Sequence, residues 1–372
     1  MLSGERFSVE YRLSGNEQEA YAKAKDICIE QTVEFPEELL PDNFIREEVV
    51  GKIESFRSGR DCHYAVISYA IETAADEITQ LLNVIFGNSS IKPGIRVEAL
   101  QLSGSLLKLF AGPRFGRDGL RNLLDVPKRP LLFTALKPMG LSAEELAQMA
   151  YQLALGGIDI IKDDHGLTNQ KFAPFDERVS RCAAAVAKAN SQTGQQCIFV
   201  ANVTAPGQQT VERAYQAKAA GAGGLMIAPA LTGLSVMQQL ADDETLGLPV
   251  FSHPAFQGSY ALSAGHGISH PVLFGQLARL AGADATIYPN FGGRFSFSRT
   301  ECEDIAEACA APLGAVRPIF PSPGGGMTLE KVPELLAVYG REVIFLIGGG
   351  LVKHSPDLIH NCRYFREMVE KF

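Results

Sequence analysis

Short apolar runs that stop at polar or glycine-rich tips recur along the last two thirds of the chain. They fall at residues 131–136, 158–161, 198–201, 225–228, 250–251, 286–288, 318–320 and 343–347, with stretches of helical spacing between them. Continuous rather than alternating apolar runs of this length are what strands covered on both faces look like. Eight strand–helix units over about 260 residues predict a (β/α)8 barrel. The first part of the chain has a different rhythm. Residues 7–13 alternate like a half-buried strand, 17–30 carry helical periodicity, 64–71 and 97–102 read as further strands, and 74–83 reads as a helix. The change comes near Gly112-Pro113. The pattern therefore predicts an α/β protein: a smaller α+β N-terminal domain over residues 1–112, then a TIM-barrel domain over residues 113–372.

Length and composition agree with this division. A chain of 372 residues can bury two cores. The net charge of −8 is spread along the chain, which argues against nucleic acid or an anionic membrane as partner. No apolar run reaches the length of a membrane span, and the N-terminus lacks a hydrophobic signal core, so the expected location is cytoplasmic. The seven cysteines are odd in number and lack CxxC spacing, so they read as reduced thiols.

In a barrel the chemistry sits at the C-terminal ends of the strands, and the unusual residues of this chain lie there. Lys137 ends the first run. Lys162, Asp163, Asp164 and His165 end the second, and strand alternation puts Lys162 and Asp164 on one face with Asp163 opposite. A lysine after an apolar strand is costly unless paired or modified. Asn202 ends the third run, His253 follows the fifth, and Arg294 lies in a glycine-flanked loop after the sixth, where it suits an anion clamp. Two triple-glycine clusters, Gly324-Gly325-Gly326 and Gly348-Gly349-Gly350, follow the seventh and eighth runs. Their backbone N–H groups predict a phosphate cradle. Lys353 and His354 add positive charge beyond the last cluster. His266 and His270 read as an i, i+4 pair on a helix with no third ligand, hence structural.

Together these residues resemble the RuBisCO large-chain superfamily, and within it the RuBisCO-like proteins that do not fix carbon dioxide. Thr134–Pro138 (TALKP) is similar to the segment that carries the family's proton-shuttling lysine. GGIDIIKDDH resembles the segment whose lysine is carbamylated and binds magnesium. SHPAF resembles the strand-five His-Arg stretch, and the glycine clusters resemble the phosphate loops. The resemblance implies that Lys162, N6-carboxylated, Asp164 and His165 hold Mg2+ or Mn2+. It further implies that Lys137 is the acid/base, that His253 touches substrate, and that Arg294 stands in for a loop lysine. Glu30 occupies the place of an acidic residue that serves the neighbouring subunit's site, which implies a homodimer or a higher homo-oligomer. Gly324, Gly325, Gly348 and Gly349 would bind phosphate, and Asn202 and Lys353 would line the substrate site.

The departures from the family pattern are as informative. His165 replaces the third metal ligand, normally Glu, which softens the site. Met139 replaces the second lysine of the family's K-P-K, Pro254 an arginine, Tyr288 a histidine and Pro323 a serine. These losses exclude a working carboxylase and leave what enediolate formation requires. The leading expectation is decarboxylation of a 3-oxo-sugar-acid phosphate such as 3-oxo-isoapionate 4-phosphate, on the strength of the cationic groups around the mouth. The alternatives are isomerisation of 5-methylthioribulose 1-phosphate or enolisation of 2,3-diketo-5-methylthiopentyl 1-phosphate, with Phe291, Phe295 and Met139 available to an apolar substrate end. A non-catalytic binding relative completes the set.

Overall fold

Alternation in the first run becomes alternation in burial: along β1 (Arg6–Leu13) Phe7, Val9, Tyr11 and Leu13 are buried while their neighbours are partly exposed. The computed structural model describes residues 2–295 and 297–371. The chain divides into two compact units, one formed by residues 1–111, 257–277 and 312–316, the other by 112–256, 278–311 and 317–372.

In the smaller unit β1 lies between β3 (His63–Ala70) and β4 (Ile95–Gln101), both antiparallel to it. An edge strand, β2 (Lys52–Ser58), pairs with β3. On the other side the short strand Gly267–Ile268 runs parallel to β4. Helices Glu17–Glu30 and Ile78–Phe86 bury Ala20, Ala24 and Ile27, and Ile78, Leu81 and Val84, respectively. The first is held by a capping box at Asn16 and Glu19. Between the sheet and the second helix the Tyr11 and Tyr69 hydroxyls meet at 2.8 Å, and Tyr11 Oη donates to the Ile85 carbonyl. Two expectations are corrected here. The helix predicted at 74–83 begins only at Ile78, after a tight turn over Ile71–Ala74. His266 and His270 are not a helical pair, because the strand Gly267–Ile268 separates them and His270 only begins the next helical segment.

The larger unit is the barrel. Its strands are β5 (Leu131–Ala135), β6 (Ile160–Lys162), β7 (Ile198–Asn202), β8 (Gly224–Ile227) and β9 (Val250–Ser252). With Gly267–Ile268 counted as β10, the series continues as β11 (Ala285–Pro289), β12 (Phe320–Gly324) and β13 (Ile344–Leu346). The sheet order is β12-β11-β9-β8-β7-β6-β5-β13, and every ladder is parallel. Phe133, Ile160, Val200, Met226, Phe251, Ile287, Phe320 and Ile344 belong to its core. Helix Gly116–Leu124, which the hydrophobic pattern does not announce, adds Leu120 and Leu124 to that core, and its Arg121 guanidinium lies 5.1 Å from the Phe320 ring centroid.

Strand seven differs from expectation. It runs over Phe320–Gly324 rather than 318–320, so Pro321 and Pro323 lie inside a β-strand. Proline lacks the N–H a ladder needs and is tolerated only where one side goes unpaired. β12 satisfies that condition: it is laddered to β11 and ends the sheet order, with no ladder to β13. The seam is packed by side chains instead, Leu346 lying against Gly324.

Candidate active site

The second strand delivers its charged residues as alternation requires. β6 ends on Lys162, whose side chain is buried and donates from Nζ to the Asp163 carbonyl at 2.9 Å. Burial without a full counter-charge pushes the Lys162 amine down to about 8. Asp163 faces the other way. It accepts Nε of Arg178 at 3.0 Å and the Asn202 amide N–H at 3.1 Å, and burial raises its carboxyl against the opposing pull of Arg178. Arg178 sits on helix Phe175–Thr193 with no exposed surface and also donates to the Thr168 and Ala173 carbonyls, so it fixes the whole tip of the strand.

On the open face stands Asp164. Its Oδ1 receives Lys137 Nζ at 2.8 Å and His165 Nδ1 at 3.2 Å. Burial alone would raise this carboxyl; the His165 and Lys137 hydrogen bonds and the nearby Lys162 outweigh it and hold the group far below the usual carboxylate range. Because a carboxylate can only accept, Nδ1 of His165 carries the proton and the lone pair of a neutral ring is at Nε2. His165 stacks on His253 with ring centroids 4.6 Å apart and planes 14° from parallel. His253 Nδ1 accepts the Ala255 N–H at 3.2 Å, which places its own proton on Nε2. Burial, reinforced by Lys162 and His165, holds His253 well below the ordinary histidine range, so the ring is neutral at pH 7. Lys137, Lys162, Asp164, His165 and His253 thus form one cluster.

The remaining candidates are distributed differently. Asn202 serves the backbone: its amide donates to the His165 and Leu167 carbonyls at 3.0 and 2.9 Å and accepts from Thr204 N–H. Its side chain thereby holds the loop. Gly325 has φ +86°, and the Arg294 N–H donates to its carbonyl at 3.0 Å, tying the sixth loop to the seventh. Gly324 accepts from the Asn290 N–H at 2.8 Å. Gly348 and Gly349 open onto free space, and the helix Gly349–Lys353 starts there, with the Leu351 N–H donating back to the Gly348 carbonyl at 3.0 Å. Gly350 lies so close to the Met327 carbonyl that a Cβ would stand 2.4 Å from it, so the two glycine loops touch. Arg294 is exposed with its guanidinium 5.3 Å from the Phe295 ring centroid. Lys353 is exposed, and His354 is stacked on Tyr364 at 4.6 Å. Glu30 belongs to the smaller unit, where it pairs with Lys92 and accepts from Asn88.

Among the described residues no group of three or more His, Cys, Asp and Glu is gathered to hold a metal ion. The cluster supplies two donors of that kind, Asp164 and His165. A third comes only from Lys162, which as an amine donates a hydrogen bond and as a carbamate would present anionic oxygens. The set fits a divalent cation on that condition, and the neutral amine favoured by burial is the form that reacts with carbon dioxide.

The family model of the ribulose bisphosphate carboxylase large chain, catalytic domain, matches residues 118–361. A 5-methylthioribulose-1-phosphate isomerase of Rhodospirillum rubrum is 38% identical over 363 residues, which cover 97% of this chain and 95% of that protein. A 2,3-diketo-5-methylthiopentyl-1-phosphate enolase of Geobacillus thermodenitrificans is 32% identical over 335 residues, 87% of this chain and 81% of its own. The crystal structure of a Rubisco-like protein from Rhodopseudomonas palustris superposes with a TM-score of 0.90 at 36% identity, covering 99% of this chain and 98% of that one. The chain therefore belongs to the ribulose bisphosphate carboxylase large-chain family, alongside its RuBisCO-like members.

Proposed function

We propose that this protein moves protons on a phosphorylated keto-sugar through an enediolate, as an isomerase of 5-methylthioribulose 1-phosphate or, second, as an enolase of 2,3-diketo-5-methylthiopentyl 1-phosphate. The observation that carries the reading is the cluster of Lys137, Asp164, His165 and His253 above buried Lys162. Lys137 stands at the open end of that cluster, where its Nζ can exchange a proton with a sugar carbon or oxygen. His253, neutral and protonated at Nε2, suits donation to a sugar oxygen. The glycine loops after β12 and β13 suit the phosphate, with Arg294 and Lys353 adding charge at the rim.

A magnesium or manganese ion would be held by carbamylated Lys162, Asp164 and His165. It would supply electrostatic stabilisation of the enediolate oxygens. A homodimer follows from the family as the expected assembly.

Isomerase and enolase are placed ahead of decarboxylation because two extensive relatives carry those names and none of the relatives compared supports a 3-oxo acid substrate. The test is to incubate the protein with magnesium and bicarbonate in deuterated water. 5-Methylthioribulose 1-phosphate is followed by phosphorus and proton NMR, and 3-oxo-isoapionate 4-phosphate is assayed in parallel for carbon dioxide. Isomer formation or deuterium wash-in, lost in Lys137→Ala, supports the proposal. Carbon dioxide release without either reverses the order, and inactivity on both favours a binding protein.

A further inference from the structure

The loop after β11 is seated on the loop after β12 by its backbone. The N–H groups of Asn290 and Arg294 donate to the consecutive carbonyls of Gly324 and Gly325, at 2.8 and 3.0 Å. The approach is so close that a Cβ on Gly326 would stand 2.8 Å from the Arg294 nitrogen. Lys331 Nζ adds a tie to the Gly292 carbonyl at 2.6 Å. A side chain fixes the start of the loop. Asn290 is buried where the chain leaves β11, and its Nδ2 donates to the Phe291 carbonyl at 2.9 Å. Its Oδ1 accepts from Tyr339 Oη at 2.7 Å. Tyr339 ends the helix Val332–Tyr339, which is anchored by buried Val332, Leu335 and Leu336.

We propose that Tyr339 is a positioning residue: through Asn290 it seats the sixth loop so that Arg294 lies beside the glycine loop proposed to take the phosphate. The inference rests on the phosphate part of the reading above and deepens it by naming what holds the cationic clamp in place. A planar trans peptide points its C=O and the following N–H in opposite directions. Spending the Gly324 and Gly325 carbonyls on the sixth loop therefore turns the Gly325 and Gly326 N–H groups away from that loop. The seat that places Arg294 thus also orients two glycine amides of the cradle. Without the Tyr339 hydroxyl the buried Asn290 Oδ1 loses its donor, and an amide that rotates to find another releases the Phe291 carbonyl. Either response loosens the first peptide of the loop and unseats Arg294.

Tyr339→Phe removes one oxygen and keeps the ring that faces Phe291. Limited trypsin digestion of the full chain, read by mass spectrometry, is expected to cut after Arg294 several-fold faster in this variant. The cut after exposed Arg60, in the smaller unit, should keep its rate. Phosphorus NMR titration with inorganic phosphate then compares wild type, Tyr339→Phe, Arg294→Ala and the double variant. Binding should weaken by about 5-fold in Tyr339→Phe, and the double variant should bind no more weakly than Arg294→Ala alone, because one residue acts through the other. Additive losses in the double variant, or an unchanged cut after Arg294, overturn the proposal. A tyrosine that only stabilises the helix would lower the thermal midpoint and leave phosphate affinity unchanged, which refutes the proposal and leaves the cradle standing. Wild type that binds no phosphate refutes the cradle itself, and the proposal falls with it.

Discussion

Arg178 donates Nε to Asp163 Oδ1 at 3.0 Å, and neither side chain has solvent-exposed surface. Removing one partner of a buried pair leaves the other charge uncompensated, at a cost of about 3–5 kcal/mol. Arg178→Met should lower unfolding free energy by that amount in a urea titration and loosen the loop carrying Asp164 and His165. A loss below about 1 kcal/mol would mean that water or a neighbour takes over the role of Arg178.

Lys162 governs a pH dependence. Its amine, pushed down to about 8 by burial, is mostly charged at pH 7 and mostly neutral at pH 9. Carbamate on Lys162, read by carbon-13 NMR with labelled bicarbonate, should rise through pH 8 and vanish in Lys162→Ala. Stability moves the same way. The unfolded lysine, near pKa 10.4, binds more protons than the folded one between about pH 8 and 10.4, so this residue makes the fold more stable as pH rises across that window and adds no slope below it. A carbamate signal independent of pH between 7 and 9 would contradict the assignment.

Asp284 works at the other end of the barrel. It accepts the backbone N–H groups of Phe115, Gly116 and Val250 at 2.7–2.9 Å, and burial pushes its carboxyl up to about 6. Asp284→Ala strands three amides and should cost about 2–4 kcal/mol. The Lys162 carbamate signal should persist wherever the variant remains folded, which separates a stability residue from a site residue.

Gly350 offers a test of the proposed phosphate loops. Gly350→Ala drives a methyl group into the Met327 carbonyl and must push the two glycine loops apart. The expected result is a KM higher by on the order of 10-fold, with weaker competition by inorganic phosphate. Unchanged phosphate competition would place the anion elsewhere.

Much of this architecture is legible in the sequence for a simple reason. Strands covered on both faces read as plain apolar runs, and a charged tip on such a run is conspicuous, which is how Lys137, Lys162 and Asp164 stand out. The edge strand Lys52–Ser58 is hidden because most of its side chains are exposed and its pattern is polar. Arg178 is hidden because an arginine on an amphipathic helix looks like a solvated one until its partner is known. The prolines of β12 disguise a strand because only the sheet order reveals that one of its sides needs no ladder. The side chain of Asn202 ends a strand as substrate-binding residues do, yet its amide is spent on two carbonyls of the adjoining loop.

Those prolines also make the barrel a hoop with a clasp. Where β12 meets β13 the join depends on Leu346 against Gly324 and on no backbone ladder. The two glycine loops spring from the two halves of that clasp. Their spacing is therefore set by side-chain packing, while the hydrogen-bonded remainder of the sheet is the frame that carries Lys162 at the end of its second strand.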